Sequence, residues 1–370
     1  MTGTGPVGVG VIGAGVISNQ YLENLTRFPD LTVLFIADLD TTRAAEQATK
    51  YGVSASGTTE QLLAHPDIEI VVNLTIPAAH VEVALQALAA GKHVWNEKPF
   101  AVDRESAAEL LAEASLLGLR IASAPDTFLG AGLQTGKRLI EAGRIGQPLT
   151  ALTAFQAAGP EAWHPNPEFL YAPGAGPLYD MGPYYITTLV QNLGPVKRVA
   201  STASTARTQR VIGSGPRAGE IFAVQVPTHI SALIEFQDGA SAQSVFSFQS
   251  ALPRMGLVEI AGTEGTLVFP DPNAFDGDVV LWTEGSDAPQ TIPTKRQSER
   301  GTGVLELARA IRADVPERAS GLQAYHVLDV LASIAEAADS GTFVDVRSTL
   351  DATIALPEDW DPDAATVRTL

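Results

Sequence analysis

Short apolar runs alternate with helix-period segments over the first 120 residues, and few folds satisfy that alternation. The run 7–12 is apolar throughout, the pattern of a strand buried on both faces; 31–37 is the next apolar run, and 68–75, 93–96 and 119–123 also read as strands. The segments 16–28, 41–51, 78–90 and 103–117 between them read as helices. Gly91 stops the third, and Asp103 is placed to cap the fourth. Strand–helix alternation predicts a parallel sheet with helices on both faces.

Within that frame, Gly10-Val11-Ile12-Gly13-Ala14-Gly15-Val16-Ile17-Ser18 leaves the first strand and opens the first helix. Gly13 and Gly15 permit a tight turn and close approach of backbone to a pyrophosphate, whose charge the helix N-terminus favours. Ser18 stands where a third glycine is usual and is still small. Asp38 ends the second strand about 20 residues later, where an acid can accept from an adenosine ribose. The first 125 residues are therefore expected to form a Rossmann domain binding a dinucleotide through Gly13, Gly15, Val16, Ile17 and Asp38. A carboxylate repels a 2′-phosphate, and the nearest cation is Arg43, so NAD is preferred and NADP is the second option.

The texture changes near residue 125. A helix is expected at 133–142, then β-branched strands at 150–155, 196–206, 228–236, 240–248, 256–262, 266–269 and 279–282. Gln237-Asp238-Gly239 and Thr263-Glu264-Gly265 read as hairpin turns. Further helices are expected at 184–193, 304–313 and 322–339, with Gly182 and Pro183 confined to a first turn. Residues 126–370 are thus read as an α+β domain on a large, mostly antiparallel open sheet, giving an α/β chain of two domains.

Composition removes several chemistries. With no cysteine there is no disulfide scaffold, thiolate metal site or cysteine nucleophile. A net charge of −18 argues against nucleic acid and anionic membrane as partners. No leader or spanning segment is apparent, so a cytoplasmic location is expected. No histidine–carboxylate spacing suggests a metal.

Two constellations are left to carry chemistry. Glu97-Lys98-Pro99 follows the fourth strand, at the sheet edge where ligands bind. Gly174-Ala175-Gly176-Pro177-Leu178-Tyr179-Asp180-Met181-Gly182-Pro183-Tyr184 places Asp180 and Tyr184 four apart, on one face if helical. Together with the glycine loop and Asp38, these motifs resemble the Gfo/Idh/MocA family of nicotinamide-dependent oxidoreductases, over nearly the whole chain. The resemblance implies activity on sugars, inositols and their derivatives, and an open sheet face that mediates homo-oligomers, dimers or tetramers. It implies that Lys98 is the active-site lysine, often before a cis proline, and that Asp180 orients substrate hydroxyls. Tyr184 falls where many members carry a catalytic histidine and some carry tyrosine. Thr75, Pro77 and His80 match a loop near the cofactor, which Glu97 and Lys98 also approach. The family's frequent Asn-x-Arg after the last Rossmann strand is replaced by Pro125-Asp126-Thr127-Phe128.

Oxidising a secondary alcohol requires a hydride acceptor and a base. Tyrosine, with a pKa of about 10, is a poor base near neutrality, and a neighbouring ammonium favours its phenolate. Lys98 is expected to activate Tyr184 and stabilise the developing alkoxide, with Asp180 holding the sugar. Tyr185 is the fallback base, although it points about 100° away. Among the histidines, His164 in Trp163-His164-Pro165-Asn166-Pro167 is the candidate substrate contact. His65 is expected in solvent, His93 and His326 in structural settings, and His229 in either. The basic cluster Lys295, Arg296 and Arg300 reads as a solvated loop. Two alternatives to a dehydrogenase are a glycoside-cleaving enzyme that regenerates its NAD and a non-catalytic cofactor sensor.

Overall fold

The computed structural model describes residues 5–295 and 298–367; Arg296 lies outside them. The chain divides into two compact units. The first comprises Met1–Gly130, Gln297–Tyr325 and Leu356–Leu370, and the second Ala131–Arg296 and His326–Ala355. A single cut at residue 125 therefore differs from what is seen: the chain returns to its first unit twice.

The first unit runs β1 (Val7–Ile12), α1 (Ser18–Leu25), β2 (Leu31–Ala37), α2 (Thr41–Tyr51), β3 (Ala55–Gly57), α3 (Thr59–Leu63), β4 (Ile70–Asn73), α4 (His80–Ala89), β5 (His93–Asn96), α5 (Arg104–Leu117) and β6 (Ile121–Ser123). The strands pair in parallel in the order β3-β2-β1-β4-β5-β6, the doubly wound arrangement. β1 and β4 are buried along their whole length, which is why β1 is continuously apolar and β4 is apolar up to Asn73. Asp40 caps α2, and Asp103 caps α5 by accepting from Ser106 N. The β3–α3 segment carries no clear period in the sequence, because a three-residue strand and a five-residue helix are too short for either period to register.

The second unit continues with α6 (Ala131–Glu141), β7 (Pro148–Gln156), α7 (Gly176–Leu193), β8 (Val196–Ser204), β9 (Gln209–Val211), β10 (Ile221–Ala223), β11 (His229–Phe236), β12 (Ser241–Ser247), β13 (Arg254–Gly262), β14 (Gly265–Phe269), β15 (Val279–Thr283) and β16 (Gln290–Ile292). α8 (Thr302–Ala313) follows in the first unit. Then come α9 (Gly321–Ser340) and the short β17 (Val344–Asp345). Nine strands form one sheet in the order β16-β15-β14-β13-β7-β12-β11-β8-β17. Only the β7–β12 pair is parallel. β11 and β12 are joined at Gly239, whose φ of 92° suits the expected turn.

α7 corrects one expectation. It begins at Gly176, so Gly182 and Pro183 lie well inside it rather than in its first turn. Proline in a helix interior removes one hydrogen bond and costs about 3 kcal/mol in isolation. Here tertiary packing prevails: Gly182, Pro183, Tyr184, Tyr185 and Ile186 are all buried, and a Cβ on Gly182 would meet Leu331 of α9 at 2.5 Å. Among the described residues no helix is long and apolar enough to cross a membrane.

Candidate active site

Strand register brings the expected cofactor residues to one edge. Ile12 pairs with Ala37 and Asn73, Asn73 with Asn96, and Asn96 with Ser123. The residues just beyond them, namely Gly13, Asp38, Thr75, Glu97 and Lys98, leave the sheet at its carboxyl edge. Gly13 has φ 104°, and a Cβ there would lie 2.6 Å from the Leu74 carbonyl oxygen, so the turn requires glycine. Around Gly15, by contrast, a Cβ would meet nothing within 4 Å. That is open space beside the start of α1, which has no side-chain cap and no acid in its first turn. A pyrophosphate fits there. Val16, Leu39 and Ile76, each just past a strand end, are strongly exposed (88%, 102% and 69%) and offer apolar contact to flat rings.

Asp38 is buried at 7% exposure and already engaged. Its Oδ2 accepts from Ala14 N at 2.7 Å, and its Oδ1 from Asp40 N at 2.9 Å. Arg43 Nη2 donates to Oδ1 at 2.6 Å, and Arg43 Nε to Oδ2 at 3.3 Å. Burial alone would raise the Asp38 carboxyl; Arg43 and the two backbone N–H groups outweigh it and hold it below the usual carboxylate range. Asp38 therefore fastens the glycine loop to β2. Arg43 sits directly on the carboxylate rather than merely near it.

Thr75 donates through Oγ1 to Asn73 Oδ1 at 2.7 Å, and Pro77 is exposed. His80 is buried, with Nδ1 2.7 Å from the Pro99 carbonyl and Nε2 3.1 Å from the Thr75 carbonyl. It thus ties the loop after β4 to the Lys98–Pro99 turn, whose peptide bond is cis. Glu97 is buried and accepts from Lys98 N at 2.8 Å and from Tyr21 Oη at 2.9 Å. Lys98 itself is half-buried.

In the second unit, Asp180 and Tyr184 sit one helical turn apart on α7, Asp180 half-buried and Tyr184 at 7% exposure. Tyr185 faces the core instead, packed edge-on against Phe155 and Phe246 and accepting from Gly256 N at 2.8 Å. Burial drives its phenol well above the ordinary value, which removes it as the fallback base. His164 accepts from Asn166 N at 3.1 Å and lies edge-on to the rings of Trp163 and Phe169. His65 is half-buried rather than solvent-exposed, because its Nδ1 accepts from Asp67 N while its carbonyl takes the Lys92 ammonium. His93 and His326 accept backbone N–H bonds from Arg120 and Val196, and burial lowers each to about 4. His229 Nε2 lies 3.2 Å from Ser231 Oγ.

Lys295 is exposed, but Arg300 is not a solvated loop residue. It pairs at 2.8 Å with Asp126, a wholly buried carboxylate that also accepts from Gly301 N and Gly303 N at the start of α8. Sequence reasoning missed Asn73, Asn96, Tyr21, Trp95 and the partnership of Asp126. The available signal was polarity at the carboxyl ends of β4 and β5, which marks Asn73 and Asn96; Tyr21, Trp95 and Asp126 carried no such mark.

Residues 7–124 match the oxidoreductase family with an NAD-binding Rossmann fold, GFO_IDH_MocA, and residues 133–268 match the GFO/IDH/MocA C-terminal domain. The uncharacterized oxidoreductase ORF334 of Rhizobium meliloti is 32% identical over 248 residues, covering 65% of this chain and 67% of that protein. The 1,5-anhydro-D-fructose reductase of Ensifer adhaerens is 27% identical over 266 residues, covering 70% and 74%. In fold, the chain is similar to a levoglucosan dehydrogenase solved with NADH and L-sorbose. The TM-score is 0.81 at 22% identity, over 92% of this chain and 99% of that one. With both of its domains matched and the glycine loop, Asp38 and Glu97-Lys98-Pro99 all on one sheet edge, the chain belongs to the GFO/IDH/MocA family of NAD-binding oxidoreductases.

Proposed function

We propose that this protein is an NAD-dependent dehydrogenase that oxidises a secondary alcohol of a neutral sugar, polyol or glycoside. The observation that carries the reading is the placement of Lys98 at the same sheet edge as the open glycine loop, two strands from β1 across β4. The substrate class is supported by the relatives named for anhydrofructose and levoglucosan.

The bound nicotinamide supplies a hydride acceptor. Tyr184 takes the hydroxyl proton through its phenolic oxygen. The Lys98 ammonium stabilises the alkoxide as charge develops on oxygen. Asp180 accepts from a neighbouring substrate hydroxyl and fixes the ring, and His164 is a further substrate contact. Val16, Ile17, Thr75, Pro77, His80 and Glu97 complete the cofactor surround.

Assembly as a dimer or tetramer, in the cytoplasm, is part of the same proposal. The assembly is supported by the exposed face of the nine-stranded sheet, where Leu152, Leu233 and Trp282 are exposed by 41%, 39% and 44%. The test is NADH formation at alkaline pH across aldoses, inositols, glucosides and anhydro-sugars. Lys98→Ala and Tyr184→Phe should each lower turnover by about 100-fold while NADH still binds. A fully active Tyr184→Phe enzyme would remove tyrosine from the mechanism.

A further inference from the structure

Behind the Glu97-Lys98-Pro99 turn lies a buried polar chain whose further members, Tyr21 and Trp95, have no part in the roles above. Trp95 Nε1 donates to Tyr21 Oη at 3.1 Å, Tyr21 Oη donates to Glu97 Oε1 at 2.9 Å, and Glu97 Oε2 receives Lys98 N at 2.8 Å. Trp95 and Tyr21 are completely buried. Burial first, then the Glu97 and Asp126 carboxylates, push the Tyr21 phenol well above its ordinary value, so it stays protonated and donates. The far wall is the Asp126–Arg300 pair, and Asn24 of α1 donates to the Arg300 carbonyl at 2.9 Å.

Tyr21 belongs to α1, the helix whose N-terminus stands beside the glycine loop. The hydrogen bond to Glu97 is thus a direct link from the dinucleotide helix to the backbone of Lys98. We propose that Tyr21 is a positioning residue: through Glu97 it fixes the Lys98 turn relative to the cofactor helix, so that the lysine is set by the same element that receives the pyrophosphate. Without the phenolic hydroxyl, Glu97 loses its side-chain donor among the described residues, and its carboxylate is free to turn away from Lys98 N. Misplacing a reacting group by a fraction of an ångström lowers the rate without weakening ground-state binding.

The experiment uses the full-length protein labelled with ¹⁵N-lysine. The lysines are Lys50, Lys92, Lys98, Lys137, Lys197 and Lys295, so the Lys98 amide is one of a handful of signals. In Tyr21→Phe the Lys98 amide should exchange with solvent about tenfold faster, while Lys50, Lys137 and Lys197 are unchanged. On a substrate found by the panel above, kcat should fall about tenfold, with KM and the Kd for NADH within twofold. Glu97→Gln retains an acceptor for Tyr21 and is the second variant should Tyr21→Phe not fold; it should also accelerate Lys98 exchange. Unchanged Lys98 exchange in a folded variant of either kind overturns the proposal. The rate arm rests on the assignment of Lys98 to chemistry and the exchange arm does not. Faster exchange with unchanged kcat would therefore uphold the link and remove Lys98 from the reaction.

Discussion

Arg43 offers a sharp test of how this chain chooses its cofactor. Its guanidinium lies on Asp38 through two contacts of 2.6 and 3.3 Å, and its side chain is 50% exposed where that of Asp38 is 7% exposed. The ion pair as a whole carries little net charge, which weakens the repulsion a 2′-phosphate would otherwise meet. Replacing Arg43 by alanine removes the cation and uncovers the carboxylate. A phosphate roughly 5 Å from that carboxylate is repelled by about 1–3 kcal/mol at effective dielectrics of about 80 down to 20. Because the pair is half in solvent, the lower half of that range applies, which is about tenfold in discrimination. Arg43→Ala should therefore raise the ratio of the NADPH to the NADH dissociation constant about tenfold at low salt, and less at high salt. The Kd for NADH should stay within twofold or tighten, since two Asp38 lone pairs become available to the ribose. Fluorescence titration of both reduced cofactors reads this directly. A ratio unchanged within twofold would refute the shared-charge account of Asp38.

Three further outcomes follow from the same geometry. Gly15→Ala should fold normally, because among the described residues nothing beyond its chain neighbours lies within 4 Å of the added carbon, yet weaken NADH binding by about tenfold as the methyl meets the pyrophosphate; calorimetry and titration separate the two. Gly13→Ala, forced to φ 104° and against the Leu74 carbonyl, should lower the melting temperature as well as cofactor affinity. His326 and His93 are held near 4 by burial, so the unfolded chain binds protons more readily than the folded one between about pH 6.5 and 4. Their stability contribution is complete above about 6.5 and is lost as pH falls through that window, by up to about 3 kcal/mol for the fully buried His326. His326→Gln, which can still accept from Val196 N, should flatten the melting-temperature profile there.

The parallel sheet was legible because its strands are apolar on both faces and its helices amphipathic; β2, α2 and β5 fall where the sequence alone places them. α7 was not, since Pro183 is a local signal and the packing of Gly182 against Leu331 is a tertiary one that overrides it. The return of α8 to the first unit was equally invisible. It rests on Asp126, 175 residues before Gly301, accepting from Gly301 N and Gly303 N. At the candidate site, residue types and strand ends located Gly13, Asp38, Glu97 and Lys98. Whether Asp38 is free or held by Arg43, and whether Glu97 faces a ligand or Tyr21, are matters of side-chain partnership that spacing does not encode.

The most direct test of the central claim follows the hydride itself. A substrate identified by the sugar panel is prepared with deuterium on the carbon that bears the oxidised hydroxyl, and turnover with NAD is followed by mass spectrometry of the cofactor. The account predicts one deuterium in each reduced cofactor, formed in equal amount with the ketone product, and loss of this transfer by about 100-fold in Tyr184→Phe. Product formed without net reduced cofactor, or reduced cofactor without deuterium, would contradict it.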